Sequence, residues 1–176
     1  MTRLLKLLSI RTKRKMNTHE CLNLLAEFSS EIRKLTLKRL DEVPKGFINW
    51  RLNNTAMSFA DIVQHLINVD ELFLNIATTH EKNFKWTLGS EEPHLHVDEA
   101  TYEAMLKKLD EFQLKRHSVI RSLKDAAVNE QITDDKGENM TLWWFLMRQV
   151  LEHEVYHRGQ IAAYLKILKG ESTKFK

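Results

Sequence analysis

The sequence predicts an all-α fold, with four long helices packed as one domain. Three observations carry that reading. Apolar residues recur at three- and four-residue steps over four long stretches. Gly and Pro are scarce, five and two in 176 residues, which disfavours a turn-rich β architecture. No convincing pair of alternating strands is present. A chain of this length suits a single domain, and its 43% apolar content is enough for a real core.

The first helix is expected from Thr18 to Leu40, with Leu22, Leu25, Phe28, Ile32 and Leu35 facing inward. Asp41-Glu42-Val43-Pro44-Lys45-Gly46 ends it, because proline cannot continue a helix and glycine tolerates the turn. Phe47 to Met57 reads as a connector containing Trp50 and Asn53-Asn54. Ser58, with Asp61 three residues on, forms a capping box for a second helix running to Thr79. One face of that helix carries Ile62, His65, Leu66, Val69, Leu72 and Ile76; the opposite face carries Val63, Ile67 and Leu74. A helix apolar on two faces is either deeply buried or touches a second subunit, so a homodimer is expected.

Thr79 to Val97 is polar and irregular, and too long for a simple turn between antiparallel neighbours. It is long enough to cross the bundle, which makes the second and third helices parallel. Asp98 caps the third helix, expected to Ala127, with Tyr102, Met105, Leu109, Phe112, Ile120 and Leu123 inward. Val128 to Met140 is read as a loop. Thr141 caps the fourth helix, and Gly170 is placed as its C-terminal stop.

Charge and cysteine content bound the function. The formal net charge of +3 comes from residues 1–16, which hold six Lys or Arg and no acid. Without those six, 21 basic residues face 24 acidic ones. The body is mildly acidic, so no nucleic-acid partner is expected. No apolar run approaches the ~18 residues needed to cross a bilayer, so no membrane partner is expected either. The single cysteine, Cys21, excludes an internal disulfide framework and fits a reducing compartment. Residues 1–16 read as a basic, disordered extension, with Met16 as a second candidate start. The bundle domain is then 17–176. A membrane-surface or transit segment is the alternative; a signal peptide fits poorly, because Lys6 interrupts a short apolar stretch.

The most informative stretch is His153-Glu154-Val155-Tyr156-His157-Arg158-Gly159-Gln160. Two histidines four apart stand one above the other on a helix face and can offer two imidazole nitrogens to one metal ion. On a wheel they share a stripe with Leu142, Leu146, Val150, Gln160, Tyr164 and Leu168, so they face the core. A site with open positions usually has three protein ligands. His65 is the best third ligand, since it alone among the other histidines lies mid-helix on a core-facing stripe. Asp61, one turn earlier, is a candidate outer carboxylate to hold an imidazole tautomer. The bland alternative is three hydrogen-bonded core histidines, but three imidazoles in a small core leave many polar atoms to satisfy.

His153-Glu154-Val155-Tyr156-His157 also spells the metalloprotease pattern H-E-x-x-H, with Glu154 as general base. The context is missing. Gln160 and Ala163 stand where a metzincin has Gly and His, only Glu171 follows as an acid, and no substrate-aligning strands are expected. On the wheel Glu154 sits about a quarter-turn off the histidine stripe, where it can form a salt bridge or line the cavity rim. Arg158 points off the stripe, where it can pair with an acid of a neighbouring helix, and Gln160 lies on the histidine face, where it can hydrogen-bond a ligand. Trp143-Trp144-Phe145 is explained equally by a pocket wall and by core packing. Cys21 reads as a small buried hydrophobe.

Glu152 to Ile161, followed by Tyr164-Leu165, resembles the C-terminal motif of the DinB/YfiT-like metalloenzymes. Phe59 to Leu66, with Trp50 upstream, resembles that family's second-helix motif. The resemblance covers about residues 17 to 170. It implies a four-helix bundle of up-down-down-up connectivity and a divalent ion, nickel or zinc, on His65, His153 and His157. It also implies a dimeric, cytoplasmic protein. Relatives include bacillithiol S-transferases and mycothiol-dependent maleylpyruvate isomerases, so the implied partners are a low-molecular-weight thiol and an electrophile. The expected function is a metal-dependent thiol S-transferase. A non-catalytic metal-binding or stress-response bundle and a metal-dependent hydrolase are the alternatives. No catalytic residue is assigned.

Overall fold

The computed structural model describes residues 17–86 and 94–174; the basic extension of residues 1–16 lies outside them, as do Gly89 and Pro93 of the crossover. The elements in order are α1 (Thr18–Leu40), α2 (Phe59–Thr79), β1 (Asn83–Phe84), α3 (Glu99–Ser122), α4 (Asp125–Val128), β2 (Gln131–Asp134) and β3 (Asn139–Thr141). A continuous C-terminal helix follows, in three parts: α5 (Leu142–Trp144), a π-helical segment (Phe145–Glu152) and α6 (His153–Lys174). The fold is predominantly helical, and no described helix is long and apolar enough to cross a membrane.

Side-chain oxygens start the helices where the sequence places them. Asn17 and Glu20 form a reciprocal capping box on α1, and Ser58 and Asp61 form another on α2. Asp98 caps α3, and Thr141 accepts from the amide of Trp144 to start α5. Contacts along the helices give their directions. Ile32 and Glu42 of α1 and its C-terminal flank meet Arg158 and Lys169, so α1 and α6 run parallel. Asn23 meets Arg121 and Ser30 meets His117, so α1 and α3 are antiparallel. Asp61 meets Leu95 just before α3, and Glu71 meets Lys108, so α2 and α3 are parallel. Phe59 packs on Tyr164 and His65 on His153, so α2 and α6 are antiparallel.

Several elements differ from the expectation. A small three-stranded sheet, in the order β1-β2-β3, closes one end. β1 and β2 pair in parallel, and β2 and β3 form an antiparallel hairpin that turns at Gly137, where φ is +85°. Strands of two to four residues are too short for an alternating pattern to register. The third helix stops at Ser122, not Ala127, and α4 is a separate turn. Gly170 does not end the C-terminal helix, which continues to Lys174; glycine permits a stop without imposing one.

Which residues face inward also shifts. In α1, Phe28 and Leu35 are exposed; the buried stripe is Leu22, Leu25, Ala26, Ser29, Ile32, Arg33, Thr36 and Leu40. In α2, Val63 and Ile67 are fully enclosed by the chain's own core, so its second apolar face needs no partner subunit. In the C-terminal helix the buried positions are Leu142, Phe145, Leu146, Val150, Leu151, Glu154, His157, Ile161, Tyr164, Leu165 and Leu168. The wider turn of the π segment sets the phase of α6. Glu154 therefore points into the core, and His153 stands half-buried at its edge.

Candidate metal centre

His65 projects from the second turn of α2, and His153 and His157 from the first turns of α6, immediately after the π segment. The three sequence-predicted residues come together. The Nε2 of His65 lies 2.6 Å from the Nε2 of His153, which lies 3.0 Å from the Nε2 of His157. The three potential ligand atoms all fall within 4.8 Å of one another. Ligands on one ion with ~2.0–2.1 Å bonds stand about 3 Å apart, so the cluster has the dimensions of a tri-imidazole site. Burial, then the neighbouring imidazoles, push His65 down to about 3. Burial and His153 push His157 down to about 4, against Gln160 and Glu154, and burial lowers His153. All three rings are therefore neutral near pH 7, the form in which imidazole binds a metal. Three Nε2 atoms converging on one point crowd lone pairs that a cation would relieve. The donor set fits a divalent ion.

Gln160 completes this arrangement. Its Oε1 faces the Nδ1 of His157 at 3.1 Å, and its Nε2 donates to the Tyr164 hydroxyl at 2.7 Å. The carbonyl oxygen can only accept, so His157 carries its proton on Nδ1 and leaves Nε2 free. Tyr164 is itself held edge-on by Trp50 at 5.2 Å and by Phe59 at 5.6 Å. Gln160→Leu is expected to weaken metal binding about 10–100-fold, while Gln160→Glu, which keeps an acceptor, stays near wild type. Competition with a chromophoric chelator measures both; equal affinity in all three proteins would contradict this role.

The other motif residues have structural partners. Arg158 donates to the Ile32 carbonyl of α1 at 3.3 Å, rather than to an acid. A Cβ on Gly159 would meet no atom within 4 Å, so no close approach explains that glycine. Asp61 does hold an imidazole, but that of His94 rather than of His65. It accepts from the amides of Ser58 and Leu95 and faces the Nδ1 of His94 at 3.1 Å, fastening the crossover to the start of α2. Phe145 packs against Phe84 and Trp86, whereas Trp143 and Trp144 are exposed.

Glu154 is fully buried, and Arg33 and Arg116 both bond it. Burial alone would raise its carboxyl, but the two guanidiniums outweigh that and hold it at about 2. Committed to two arginines and enclosed by the core, it is not placed to act as a general base, which removes the protease reading. Sequence reasoning missed its partners Arg33 and Arg116, and Asp70, which both arginines also bond. The only signal was charge at inward helical positions, which reads as a solvated flank until the phase of each helix is known.

These groups also set a pH dependence. Unfolded histidine titrates near ~6.5 and an unfolded glutamate near ~4.3, whereas the folded values for His65, His157 and Glu154 lie well below those. Between the two sets the unfolded chain binds more protons, so stability is lost as pH falls. The metal-free protein is expected to melt progressively lower from pH 7 to pH 4. A melting point flat over that range would contradict the buried neutral histidines.

The chain is thus a helical bundle that brings three imidazoles together between α2 and α6, and its sequence and fold recur in a known family. The DinB superfamily profile matches residues 30–161, and the chain belongs to that superfamily. The protein YjoA of Bacillus subtilis (strain 168) is 24% identical over 139 residues, covering 76% of this chain and 82% of YjoA. The crystal structure of that DinB-like protein superposes with a TM-score of 0.61 at 18% identity, over 83% of this chain and 92% of the other. That likeness supports the fold.

Proposed function

We propose that His65, His153 and His157 hold one divalent ion, nickel or zinc, and that the protein is a thiol S-transferase. The observation that carries this is the convergence of three neutral imidazoles on one point, with no carboxylate among them. A bound divalent ion supplies Lewis acidity, favouring the thiolate over the thiol at neutral pH. The chain's own residues hold the imidazoles and fix the His157 tautomer through Gln160. In the transfer, the thiol proton leaves to solvent, a carbon–sulfur bond forms to the electrophile, and the electrophile's leaving group departs. A thiol needs no strong general base once its acidity is raised. That favours transfer over hydrolysis, because Glu154 and Asp61 are both occupied by other contacts.

The test is conjugation of several low-molecular-weight thiols to a generic chromogenic electrophile. The rate is expected to fall at least tenfold on chelation and to return with nickel or zinc. Conjugation unaffected by chelation would overturn the metal-thiolate reading; full metal loading without conjugation of any thiol would leave a binding protein. The cytoplasm supplies such reduced thiols, and a lone free cysteine suits it.

The same reading makes the protein a homodimer, supported by α1 rather than α2. Leu24, Phe28 and Leu35 share one exposed face of α1, and Phe28 borders a groove of about 260 Å³ with Met147, Leu151 and Val155. Light scattering is expected to show a dimer that Leu24→Glu with Phe28→Glu converts to a monomer. A monomeric wild type would contradict it.

A further inference from the structure

Beside the histidines, and outside the metal site itself, lies a closed ring of four buried charges, one from each long helix. Arg33 comes from α1, Asp70 from α2, Arg116 from α3 and Glu154 from α6, and each side chain is at most 1% exposed. Arg33 Nη2 donates to Asp70 at 2.8 Å and to Glu154 at 3.0 Å, and its Nε donates to Glu154 at 2.7 Å. Arg116 Nη1 donates to Asp70 at 2.8 Å and to Glu154 at 3.0 Å. Two further N–H groups cross-tie the arginines' own helices. Arg33 Nη1 donates to the Leu109 carbonyl of α3, and Arg116 Nη2 to the Ser29 carbonyl of α1.

The division of labour in this ring is what carries the inference. Both acids sit on the helices that bear the histidines: Asp70 five residues after His65, and Glu154 between His153 and His157. Both arginines sit on helices that bear none of these three histidines. Each arginine bonds both acids, so each is a bridge from the His65 helix to the His153/His157 helix. Glu154 also fixes the rotation of α6, since successive helical residues turn by about 100°. A turn large enough to carry Glu154 out of the ring would swing both flanking histidines away from His65. Buried ion pairs are weak sources of stability compared with well-packed apolar replacements, and in some systems their use is to specify one arrangement.

We propose that Arg33 and Arg116 are positioning residues for the metal centre, setting the separation and rotation of α2 and α6 by clamping Asp70 and Glu154 together. This rests on the metal reading above. A purely structural ring would lose stability and metal together; a positioning ring loses metal affinity in a protein that remains folded.

Two variants separate these cases. The first replaces the whole ring with apolar residues of similar size: Arg33→Met, Asp70→Leu, Arg116→Met and Glu154→Leu. The second, Arg33→Lys with Arg116→Lys, keeps the charges but removes the planar fork that spans two carboxylates. Zinc affinity per folded molecule is read by competition with a chromophoric chelator, and ligand geometry by the visible d–d bands of the cobalt(II)-loaded protein.

Both variants are expected to unfold cooperatively, to bind zinc at least tenfold more weakly than wild type and to give altered cobalt bands. Wild-type affinity and spectrum in folded variants would overturn the proposal. So would zinc loss that merely tracks loss of folded protein in both. A wild-type protein that takes up neither ion would sink the metal reading itself, a result distinct from either of these.

Discussion

Glu154→Leu, made alone, is expected to lower the free energy of unfolding by about 3–5 kcal/mol, the usual effect of removing one partner from a buried ion pair. That is a large fraction of the ~5–15 kcal/mol that a domain of this kind possesses. The cause is the debt of charge left behind. Arg33 and Arg116 would face a single carboxylate, Asp70, at a site with about 1% exposure, and Arg116 already has its Nε unpartnered. Urea denaturation of the metal-free protein at pH 7 measures the loss. The full apolar replacement of the ring restores stability, because no unpaired charge remains. The two results together separate the ring's role from that of a catalytic Glu154. A general base facing solvent and substrate would tolerate leucine in the fold and lose only activity. A stability change under about 1 kcal/mol would contradict the buried ring.

The second large effect is stabilisation by metal. An ion that binds the folded protein alone stabilises it by about 4 kcal/mol at a thousandfold excess over its dissociation constant. For a domain of this size that raises the melting point by about 8–16 °C. Zinc or nickel is expected to do this in wild type and to do nothing in His157→Ala, whose Nε2 is one of the three converging atoms. The shift shrinks as pH falls, because protons compete for the imidazoles. Differential scanning calorimetry with and without a chelator checks it. Equal shifts in wild type and His157→Ala would mean that the ion acts elsewhere.

Most of the fold was legible in the sequence. Ser58 with Asp61 is a local signal that needs no tertiary context, and it starts α2; the matching box of Asn17 with Glu20 on α1 went unread. The histidine triad was legible for a similar reason, since i, i+4 spacing and one inward histidine on α2 are read from single helices. What escaped depends on the phase between helices. An apolar count on α1 favours Phe28 and Leu35, yet the buried stripe runs through Ser29 and Arg33, because Arg33 has buried acids to meet on α2 and α6. Glu154 was set a quarter-turn off the core by an ideal α wheel. The π segment just before it rephases α6 and brings it inside. Asp61 was expected to hold an imidazole of the metal site; it holds His94 instead, and nothing local to α2 reveals an imidazole arriving from the crossover.

Metal content per chain tests the central claim most directly. Elemental analysis of wild-type protein, His65→Ala, His153→Ala and His157→Ala, each purified identically and verified as folded, decides it. One nickel or zinc ion per wild-type chain, with no stoichiometric metal in any of the three variants, is the predicted result. Stoichiometric metal persisting in all three variants, or a wild type that retains none after exposure to either ion, would contradict it.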